Sequence, residues 1–375
     1  MQIKKFKLGF LGGGVNSTIG NMHNLASKLD ARWSLVSGFF SRSRSVNRQS
    51  AKIYGVDEKR TYNSLKKFID SEKNKIDAVA VLVPTPNRYK YILELLKHKI
   101  PIISEKPLVD NLKDCLNLQK SFSKYNFLRV TYNYAGYPLV KELKEMINKN
   151  YFGKIKQIHF EMPQDAFTMH TSKKINPKKW RLKDSYIPNI SHDLGSHLMS
   201  LSSYLLGEYP NSVMCSYFQS SKFKSLVDNG YFWINFKSGI KGTFWISKST
   251  PGIRNGLRLR LYGEKKGAEW LQTRSEEMKI YHETGSAETI DNLTFQLESH
   301  KKKYNRYKVG HPAGFLEAFA NMYNEYADQL QLFHQKKTMK PDSGIFDLRN
   351  SIFISKFFDA STKSNKEKKW IKIRR

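Results

Sequence analysis

FKLGFLGGGVNSTIG, residues 6–20, is the stretch of the sequence that predicts the fold. Its first half is apolar enough for a buried strand, and its last residues suit the start of a helix. Gly12, Gly13 and Gly14 allow a sharp turn between the two, where the backbone can approach a pyrophosphate at the amino end of the helix. The spacing G-x-G-x-x-S departs from the full dinucleotide fingerprint only at Ser17, where a small residue replaces the last glycine. The stretch therefore predicts the start of a dinucleotide-binding domain.

Strands and helices continue to alternate after this stretch. Apolar runs at 33–40, 76–83 and 101–104 predict further strands, and helices are predicted over 21–29, 64–71 and 89–98. Continuous apolar strands are typical of a parallel sheet that is covered on both faces. A doubly wound sheet binds its ligand at the carboxyl ends of its strands. Gly12, Ser41, Thr85 and Lys106 are therefore expected to lie at that edge.

The pattern of the sequence changes near residue 127. Alternating residues at 155–162, 213–219, 231–236 and 242–247 predict half-buried antiparallel strands, with helices over 138–148, 192–206 and 312–333. A chain of 375 residues is too long for one core. We predict an α/β fold with a Rossmann doubly wound parallel sheet in 1–126 and an α+β domain with an open, mostly antiparallel sheet in 127–375. The second domain would bind substrate and form oligomers, and a loose basic tail is expected from about residue 363.

The net charge of the chain is +31, from 64 Lys and Arg against 33 Asp and Glu. Such a charge suggests nucleic acid or an anionic membrane as a partner. The basic residues are spread along the whole chain, however, and no helix-turn-helix, zinc or RNA-binding motif is recognisable. We therefore expect a general basic surface that attracts anionic substrates, without specific nucleic-acid binding.

Cys115 and Cys215 are far apart in sequence and lack metal-ligand spacing. No secretory segment is recognisable, and no apolar stretch approaches the roughly 18 residues that would cross a bilayer. We expect a cytoplasmic protein with two plain core thiols, no metal and no membrane association.

Ser41 and Arg42 follow the second predicted strand, at the position that distinguishes NAD from NADP. An acidic residue there accepts hydrogen bonds from the ribose of NAD, whereas serine and arginine can hold the 2′-phosphate of NADP. A solvated helix cap is the simpler interpretation of the serine. The expected cofactor is NAD(P), with NADP slightly favoured.

Four motifs occur in a defined order along the chain: Gly12 to Gly20, Thr85-Pro86-Asn87, Glu105-Lys106-Pro107 and Asp193-x-x-x-His197. With them come the strings TYNYAGYP at 131–138, WR at 180–181 and GHPAGF at 310–315. In this combination the chain resembles the Gfo/Idh/MocA oxidoreductases, which include glucose–fructose oxidoreductase and inositol dehydrogenases. It departs from the family's pattern at Lys90, where a histidine is usual, and at His192, where a glycine often precedes the aspartate.

The resemblance implies a two-domain fold, an NAD(P) cofactor and hydride chemistry. The residues it implies for cofactor binding are Gly12, Gly14, Val15, Asn16, Ser41, Arg42, Pro84, Thr85, Asn87, Glu105, Lys106 and Asn133. Those expected to bind a polyol or sugar are Tyr134, Gln164, Trp180, Arg181, Asp193, His197 and His311. Aromatic residues are more often part of a core, so Trp180 and the other residues of this second list are each weak evidence for a substrate site when taken alone.

Lys106, Asp193 and His197 are the candidate catalytic residues. Oxidation of a secondary alcohol needs a base for the hydroxyl proton and a cation beside the developing alkoxide, which His197 and Lys106 would supply. Asp193 is four residues before His197 on a predicted helix, so its carboxylate can orient the imidazole. A surface ion pair and a solvated lysine are the simpler interpretations. His192 and His197 are not expected to bind a metal, since no third ligand is evident.

The expected activity is hydride transfer between NAD(P) and a secondary hydroxyl of a sugar, a sugar derivative or inositol. The alternatives are a non-catalytic dinucleotide sensor and a glycosidase that uses bound NAD for transient oxidation. An acid–base set at Lys106, Asp193 and His197 favours the dehydrogenase over the sensor. A homodimer or homotetramer is expected, because an open sheet with a free face commonly pairs with its copy.

Overall fold

The structure, a computed structural model, describes residues 4–168, 183–292, 301, 303–304, 306–308, 311–338 and 344–374. These residues divide into two compact units. The first comprises the described parts of Met1–Gly136 and Gly314–Ile352, and the second those of Tyr137–Ala313 and Phe353–Arg375. Within the described ranges, no helix is both long and apolar enough to span a bilayer.

The first unit is built on a five-stranded parallel sheet in the order β2-β1-β3-β4-β5. The strands are β1 (Phe6–Gly12), β2 (Trp33–Phe39), β3 (Ala78–Leu82), β4 (Ile102–Glu105) and β5 (Leu128–Thr131). The helices between them are α1 (Thr18–Leu29), α2 (Arg44–Tyr54), α3 (Leu65–Glu72), α4 (Thr85–Lys97) and α5 (Leu112–Ser121). Continuous apolar strands with helical connections explain this parallel arrangement, and the predicted Rossmann sheet is confirmed.

Side-chain caps fix where several of these helices begin. The Ser17 side chain accepts a hydrogen bond from the Gly20 amide at the start of α1. Ser64 and Asn111 cap α3 and α5 in the same way. Each cap satisfies an amide group that has no partner within its own helix.

Gly20, and not Ser17, is where α1 comes closest to the glycine turn. A Cβ built on Gly20 would lie 2.0 Å from the carbonyl oxygen of Gly13. Ser17 instead serves as the N-cap of α1. The dinucleotide fingerprint places its last small residue at Ser17, because the fingerprint is defined by residue spacing and does not locate the first turn of the helix.

A helix far along the chain, α8 (Phe315–His334), belongs to the first unit. The indole nitrogen of Trp33 donates to the carbonyl oxygen of Tyr323 at 2.9 Å, and Arg129 Nε donates to Gln329 Oε1 at 2.5 Å. The division predicted at 126/127 therefore differs from these units, because α8 packs against strands whose contacting residues are 200 and 290 positions earlier.

The second unit is built on a nine-stranded sheet in the order β13-β12-β11-β10-β6-β9-β8-β7-β14. Only β6 and β9 pair in parallel, so the predicted, mostly antiparallel sheet is confirmed. The strands are β6 (Ile155–Pro163), β7 (Pro210–Phe218), β8 (Asn229–Phe236), β9 (Lys241–Ser247), β10 (Arg258–Gly263), β11 (Lys266–Leu271), β12 (Glu277–His282), β13 (Ala287–Asp291) and β14 (Ile371–Lys372). The helices of this part of the chain are α6 (Pro138–Asn148), α7 (Ser196–Leu206) and α9 (Leu348–Glu367).

The two faces of the nine-stranded sheet differ in exposure. On β8, Phe232 is buried and packs on Phe357 of α9 with a centroid separation of 5.9 Å. Tyr231 and Trp233, which alternate with it, are 41% and 48% exposed. Alternation along the strand thus leaves aromatic side chains on the outer face.

The prediction of a loose basic tail is wrong. Residues up to Glu367 lie in α9, and β14 pairs antiparallel with β7. The Ser364 hydroxyl accepts a hydrogen bond from the Cys215 amide at 3.0 Å, and Ile373 is buried. The charges of this segment suggested a solvated tail, but its few apolar and small residues are the ones that face the sheet.

The close approach at Gly20 predicts the effect of Gly20→Ala. Alanine is the better helix former by about 1 kcal/mol, so a loss of stability can only come from the contact with Gly13. We expect the free energy of unfolding to fall by about 1–3 kcal/mol, as in overpacked cores. Urea denaturation of the full chain measures this free energy.

Asn21→Ala, at the next and exposed position, is the control and should change the free energy of unfolding by no more than about 0.5 kcal/mol. Equal stability of the two variants would contradict the assignment.

Candidate active site

The glycine turn between β1 and α1 has the geometry of a phosphate cradle. Gly12 and Gly13 have φ values of 83° and 72°. A Cβ on Gly12 would lie 2.8 Å from the backbone nitrogen of Val83, so no other residue fits there. The first turn of α1 contains no acidic residue. A helix start of this kind favours a bound anion, so the turn fits the pyrophosphate of a dinucleotide.

Gly14, Val15 and Asn16 connect this turn to α1. The Gly14 carbonyl accepts from the Ser17 amide at 2.7 Å, and the Val15 amide donates to Ser50 Oγ at 3.1 Å. These bonds hold the connection to the N-cap of α1 and to α2. Asn16 is exposed, so its side chain is the group of this connection that a cofactor can reach.

Asn47 shapes the loop after β2. Its Oδ1 accepts hydrogen bonds from the amides of Phe40 at 2.9 Å and Ser41 at 3.1 Å. The Ser41 hydroxyl oxygen accepts from the Ser43 amide at 3.1 Å. Arg42 is exposed in this loop, and residues 41–45 include no acid. The loop therefore presents a cation at the end of β2.

Arg88 holds the carboxyl ends of β3 and β4. Its Nη2 donates to the Val83 carbonyl at 3.0 Å, and its Nη1 donates to the carbonyls of Glu105 at 2.8 Å and of Pro107. Burial lowers the pKa of Arg88 to about 10, so the guanidinium remains charged at neutral pH. Carbonyls on both sides of Lys106 are thus bound by one side chain.

The Glu105 side chain has internal partners. Its Oε1 accepts from Thr131 Oγ1 at 2.6 Å and contacts His23 Nε2 at 3.1 Å. Burial would raise the pKa of Glu105, but the hydrogen bond from His23, the charge of Arg88 and the hydrogen bond from Thr131 together lower it. Glu105 is therefore a buried carboxylate that fixes the strand end next to Lys106.

The other residues predicted to bind the cofactor lie after β3 and β5. Pro84 is the N-cap of α4, which starts at Thr85, and the Asn87 amide donates to the Pro84 carbonyl at 3.0 Å. Asn133 is buried in a 3₁₀ turn after β5, next to Tyr134, which was predicted to bind the substrate and is buried in the same turn. All five of these residues are in the first unit with Lys106.

Asp193 and His197 belong to the second unit, where a π-helical turn, Ser191–Gly195, leads into α7. Insertions of this kind are frequent at functional sites. The Ser196 hydroxyl donates to the His192 carbonyl at 2.6 Å, and Ser200 donates to the His197 carbonyl at 2.9 Å. Both hydroxyls thus satisfy carbonyl groups around the irregular turn, and His197 is buried.

Lys248 forms an ion pair with Asp193, with 2.6 Å between Nζ and Oδ2. It directly follows β9, and its amide donates to the Asp228 carbonyl at 2.9 Å. Its Nζ lies 5.2 Å from the ring centroid of Phe167. Lys248 is therefore a buried cation with a fixed backbone, held against the predicted orienting carboxylate.

Gln164 is the predicted substrate residue that lies next to these strand ends. Its amide donates to the Ser247 carbonyl at 2.8 Å, and its Nε2 donates to Asn255 Oδ1 at 3.2 Å. His311 is exposed, and its amide donates to the Lys308 carbonyl at 3.3 Å. Trp180 and Arg181 lie outside the described residues.

Sequence reasoning missed His23, Arg88 and Lys248. Arg88 follows the Thr85-Pro86-Asn87 string directly, and Lys248 follows a predicted strand, so their positions were weak signals. Nothing in the sequence identifies His23 as a functional residue, because a histidine on a helix is usually part of a surface or a core. Among the residues that the structure describes, no group of three His, Cys, Asp or Glu side chains could hold a metal ion.

Comparison with known proteins places this geometry in a family. A family model described as an oxidoreductase family with an NAD-binding Rossmann fold matches residues 6–134. A second model, the GFO/IDH/MocA C-terminal domain, matches residues 140–269. The two matches fall in the first and the second unit respectively.

Individual proteins give the same result. The Bacillus subtilis oxidoreductase YfiI is 24% identical over 336 residues, which are 86% of this chain and 85% of YfiI. The structure of an inositol dehydrogenase homologue from Azotobacter vinelandii with NAD⁺ has a TM-score of 0.91 at 22% identity and covers 98% of this chain and 97% of its own. An oxidoreductase from Sinorhizobium meliloti has a TM-score of 0.84 at 28% identity, over 98% of this chain and 99% of its own. The chain belongs to the Gfo/Idh/MocA family of NAD-binding oxidoreductases.

Proposed function

We propose that the protein oxidises a secondary hydroxyl of a sugar, a sugar derivative or inositol with NAD(P). The observation that carries the proposal is the ion pair between Asp193 and the buried Lys248, one helical turn before His197. Two structural neighbours support the substrate class: an inositol dehydrogenase homologue complexed with NADH and myo-inositol, and a levoglucosan dehydrogenase complexed with NADH and levoglucosan. An acid–base set has no use in a sensor that only binds the dinucleotide.

His197 is the base in this proposal. Its neutral imidazole takes the hydroxyl proton of the substrate, and the Lys106 ammonium stabilises the alkoxide as it develops. Asp193 orients the imidazole. The glycine turn would hold the pyrophosphate of NAD(P) and Arg42 the 2′-phosphate of NADP, and the nicotinamide would supply the hydride acceptor when bound.

Lys248 has a distinct part in the proposal, because its ammonium pairs with the Asp193 carboxylate at 2.6 Å. The pair with Lys248 carries no net charge, so it can orient His197 without adding an isolated negative charge to the site.

Catalysis by these residues predicts the behaviour of their variants. His197→Ala should lower kcat by about 10²–10⁴-fold, the usual contribution of a positioned base. Lys106→Ala should also lower kcat by orders of magnitude, while dissociation constants for NADH stay close to wild type. Oxidation should fall in acid, where protonation of His197 removes the base. Absorbance of reduced cofactor, with myo-inositol, levoglucosan and related polyols as the panel, measures these rates.

Lys248→Met and Asp193→Asn test the ion pair in the same assay. Both should lower kcat and keep the fold, and Lys241→Met, at the exposed start of β9, is the matched control. A His197→Ala enzyme with the wild-type rate and pH profile would show that the proton goes elsewhere.

We propose further that NADP is preferred, because the loop after β2 presents Arg42 and lacks an acid. Arg42→Asp should then weaken NADPH binding by about 10- to 100-fold, as expected for a lost charged hydrogen bond of 1.5–3 kcal/mol, and should change NADH binding less. Fluorescence titration gives both dissociation constants. Arg48→Asp makes the same charge change at an exposed position of α2 and should leave their ratio unchanged. A ratio that Arg42→Asp does not alter contradicts the preference.

The outer face of the nine-stranded sheet supports a homodimer or homotetramer. Phe218, Tyr231 and Trp245 stack across three strands, with centroid separations of 5.8 and 6.0 Å and interplanar angles of 14° and 9°. Trp233 and Trp370 line a neighbouring groove of about 320 Å³. Contiguous aromatic surface of this kind commonly marks an interface.

We also propose a cytoplasmic location, because Cys115 and Cys215 lie in different units and do not form the closely spaced pattern of a disulfide-bonded secreted protein.

Trp233→Glu should therefore reduce the mass of the assembly in solution. Burial of a charged side chain at the centre of an interface costs several kcal/mol, about enough to shift a micromolar dimer toward monomer. Sedimentation velocity measures the mass. Tyr125→Glu, at a residue of the first unit that is 56% exposed, is the control. If wild type and Trp233→Glu sediment alike, this face is not the interface.

A further inference from the structure

A buried polar cluster in the first unit has no part in the function proposed above. It consists of His23 on α1, Arg88 on α4, Glu105 at the end of β4, Thr131 at the end of β5 and Tyr323 on α8, all of them buried. Five separate elements thus meet at the residue that precedes Lys106.

The hydrogen bonds of the cluster form a chain. His23 Nε2 is 3.1 Å from Glu105 Oε1, and His23 Nδ1 is 2.7 Å from the Tyr323 hydroxyl oxygen. The Thr131 hydroxyl donates to the same Glu105 oxygen at 2.6 Å. Each of these hydrogen bonds connects to the Glu105 carboxylate, either directly or through His23.

The charges of the cluster determine where the protons lie. Glu105 has a lowered pKa, and a carboxylate only accepts hydrogen bonds, so His23 must carry a proton on Nε2 and donate it. Burial raises the pKa of Tyr323 well above its ordinary value, so the phenol keeps its proton and can donate to Nδ1. The other titratable groups near the cluster on the packed elements are Arg88, beside Glu105, and the phenol of Tyr326. A proton on Nε2 and a hydrogen bond accepted by Nδ1 satisfy both contacts of His23.

A buried ion pair is only weak evidence of a contribution to stability, because replacing it by well-packed apolar residues is often neutral or stabilising. The cluster does, however, restrain the backbone of a single residue. Arg88 binds the carbonyls of Glu105 and Pro107, and His23 with Thr131 binds the Glu105 side chain. Lys106 lies between these bound groups.

We propose that His23 is a positioning residue of the reaction, which acts through Glu105 to hold the backbone of Lys106. The inference rests on the proposed role of Lys106. A displacement of about 1 Å at a catalytic group can cost 10²-fold in rate. Loss of the His23 donor therefore affects kcat, whereas the glycine turn, which binds the pyrophosphate, is left intact.

Two substitutions separate the two nitrogens of His23. The amide of His23→Gln can replace the Nε2 donor to Glu105, whereas that of His23→Asn can reach only the position of Nδ1. We expect His23→Asn to lower kcat by roughly 10- to 100-fold, and His23→Gln to restore most of it. The KM for the polyol and the NADH dissociation constant, measured by fluorescence, should stay within about threefold of wild type. His98→Asn changes an exposed histidine that contacts Glu94 at 3.4 Å and should have no effect.

A double-mutant cycle shows whether His23 acts through Lys106. In the Lys106→Ala background, His23→Asn should lower kcat no further, because the group that it positions is gone. An equal loss in both backgrounds overturns the inference, and so does a kcat that His23→Asn leaves unchanged. If His23→Asn does not fold, Thr131→Val removes the other donor to the same oxygen and must show the same pattern. If Lys106→Ala itself retains wild-type turnover, or no polyol of the panel is oxidised, the proposed function fails instead.

Discussion

The guanidinium of Arg88 is the interaction on which the edge of the first sheet depends. A strand end has carbonyl groups with no further strand residue to pair them, and a buried carbonyl without a donor is costly. Arg88 supplies donors to three of them, at Val83, Glu105 and Pro107. It can do so because it is on the first turn of α4, directly above the end of β3. The loops that would contact a cofactor and a substrate therefore start from fixed points.

The second unit fixes Asp193 by a comparable device. Lys248 follows the inner strand β9, whereas Asp193 is on an irregular turn before α7, and the ion pair joins the two at 2.6 Å. The Lys248 ammonium would be unfavourable if it were isolated in its buried position, and the partly exposed Asp193 carboxylate compensates its charge. Both units thus place a fixed, compensated charge next to a proposed catalytic residue: Glu105 beside Lys106, and Asp193 before His197.

Local periodicity in the sequence was sufficient to predict part of the fold. The helix Pro138–Asn148 has the predicted bounds, and the predicted strands β1–β4 and β6–β9 were located to within a few residues, because burial on one face repeats every two or 3.6 residues. The strands β5 and β10–β14 were not predicted. Periodicity does not identify the element that covers a face. The contact of α8 with Trp33 and the pair of Lys248 with Asp193 join residues that are 290 and 55 positions apart. Neither contact can be predicted from the sequence of either segment alone.

The error at the C-terminus has the same cause. The last residues are mostly charged, and composition alone predicts a solvated tail. A helix needs only a narrow apolar stripe to pack, however, and Phe357 and Phe358 of α9 supply it against Phe232. Long basic side chains can then project into solvent from the other faces of the same helix. A net charge of +31 is thus compatible with an ordered chain end, because charge decides which faces meet water and the apolar minority decides whether the segment packs.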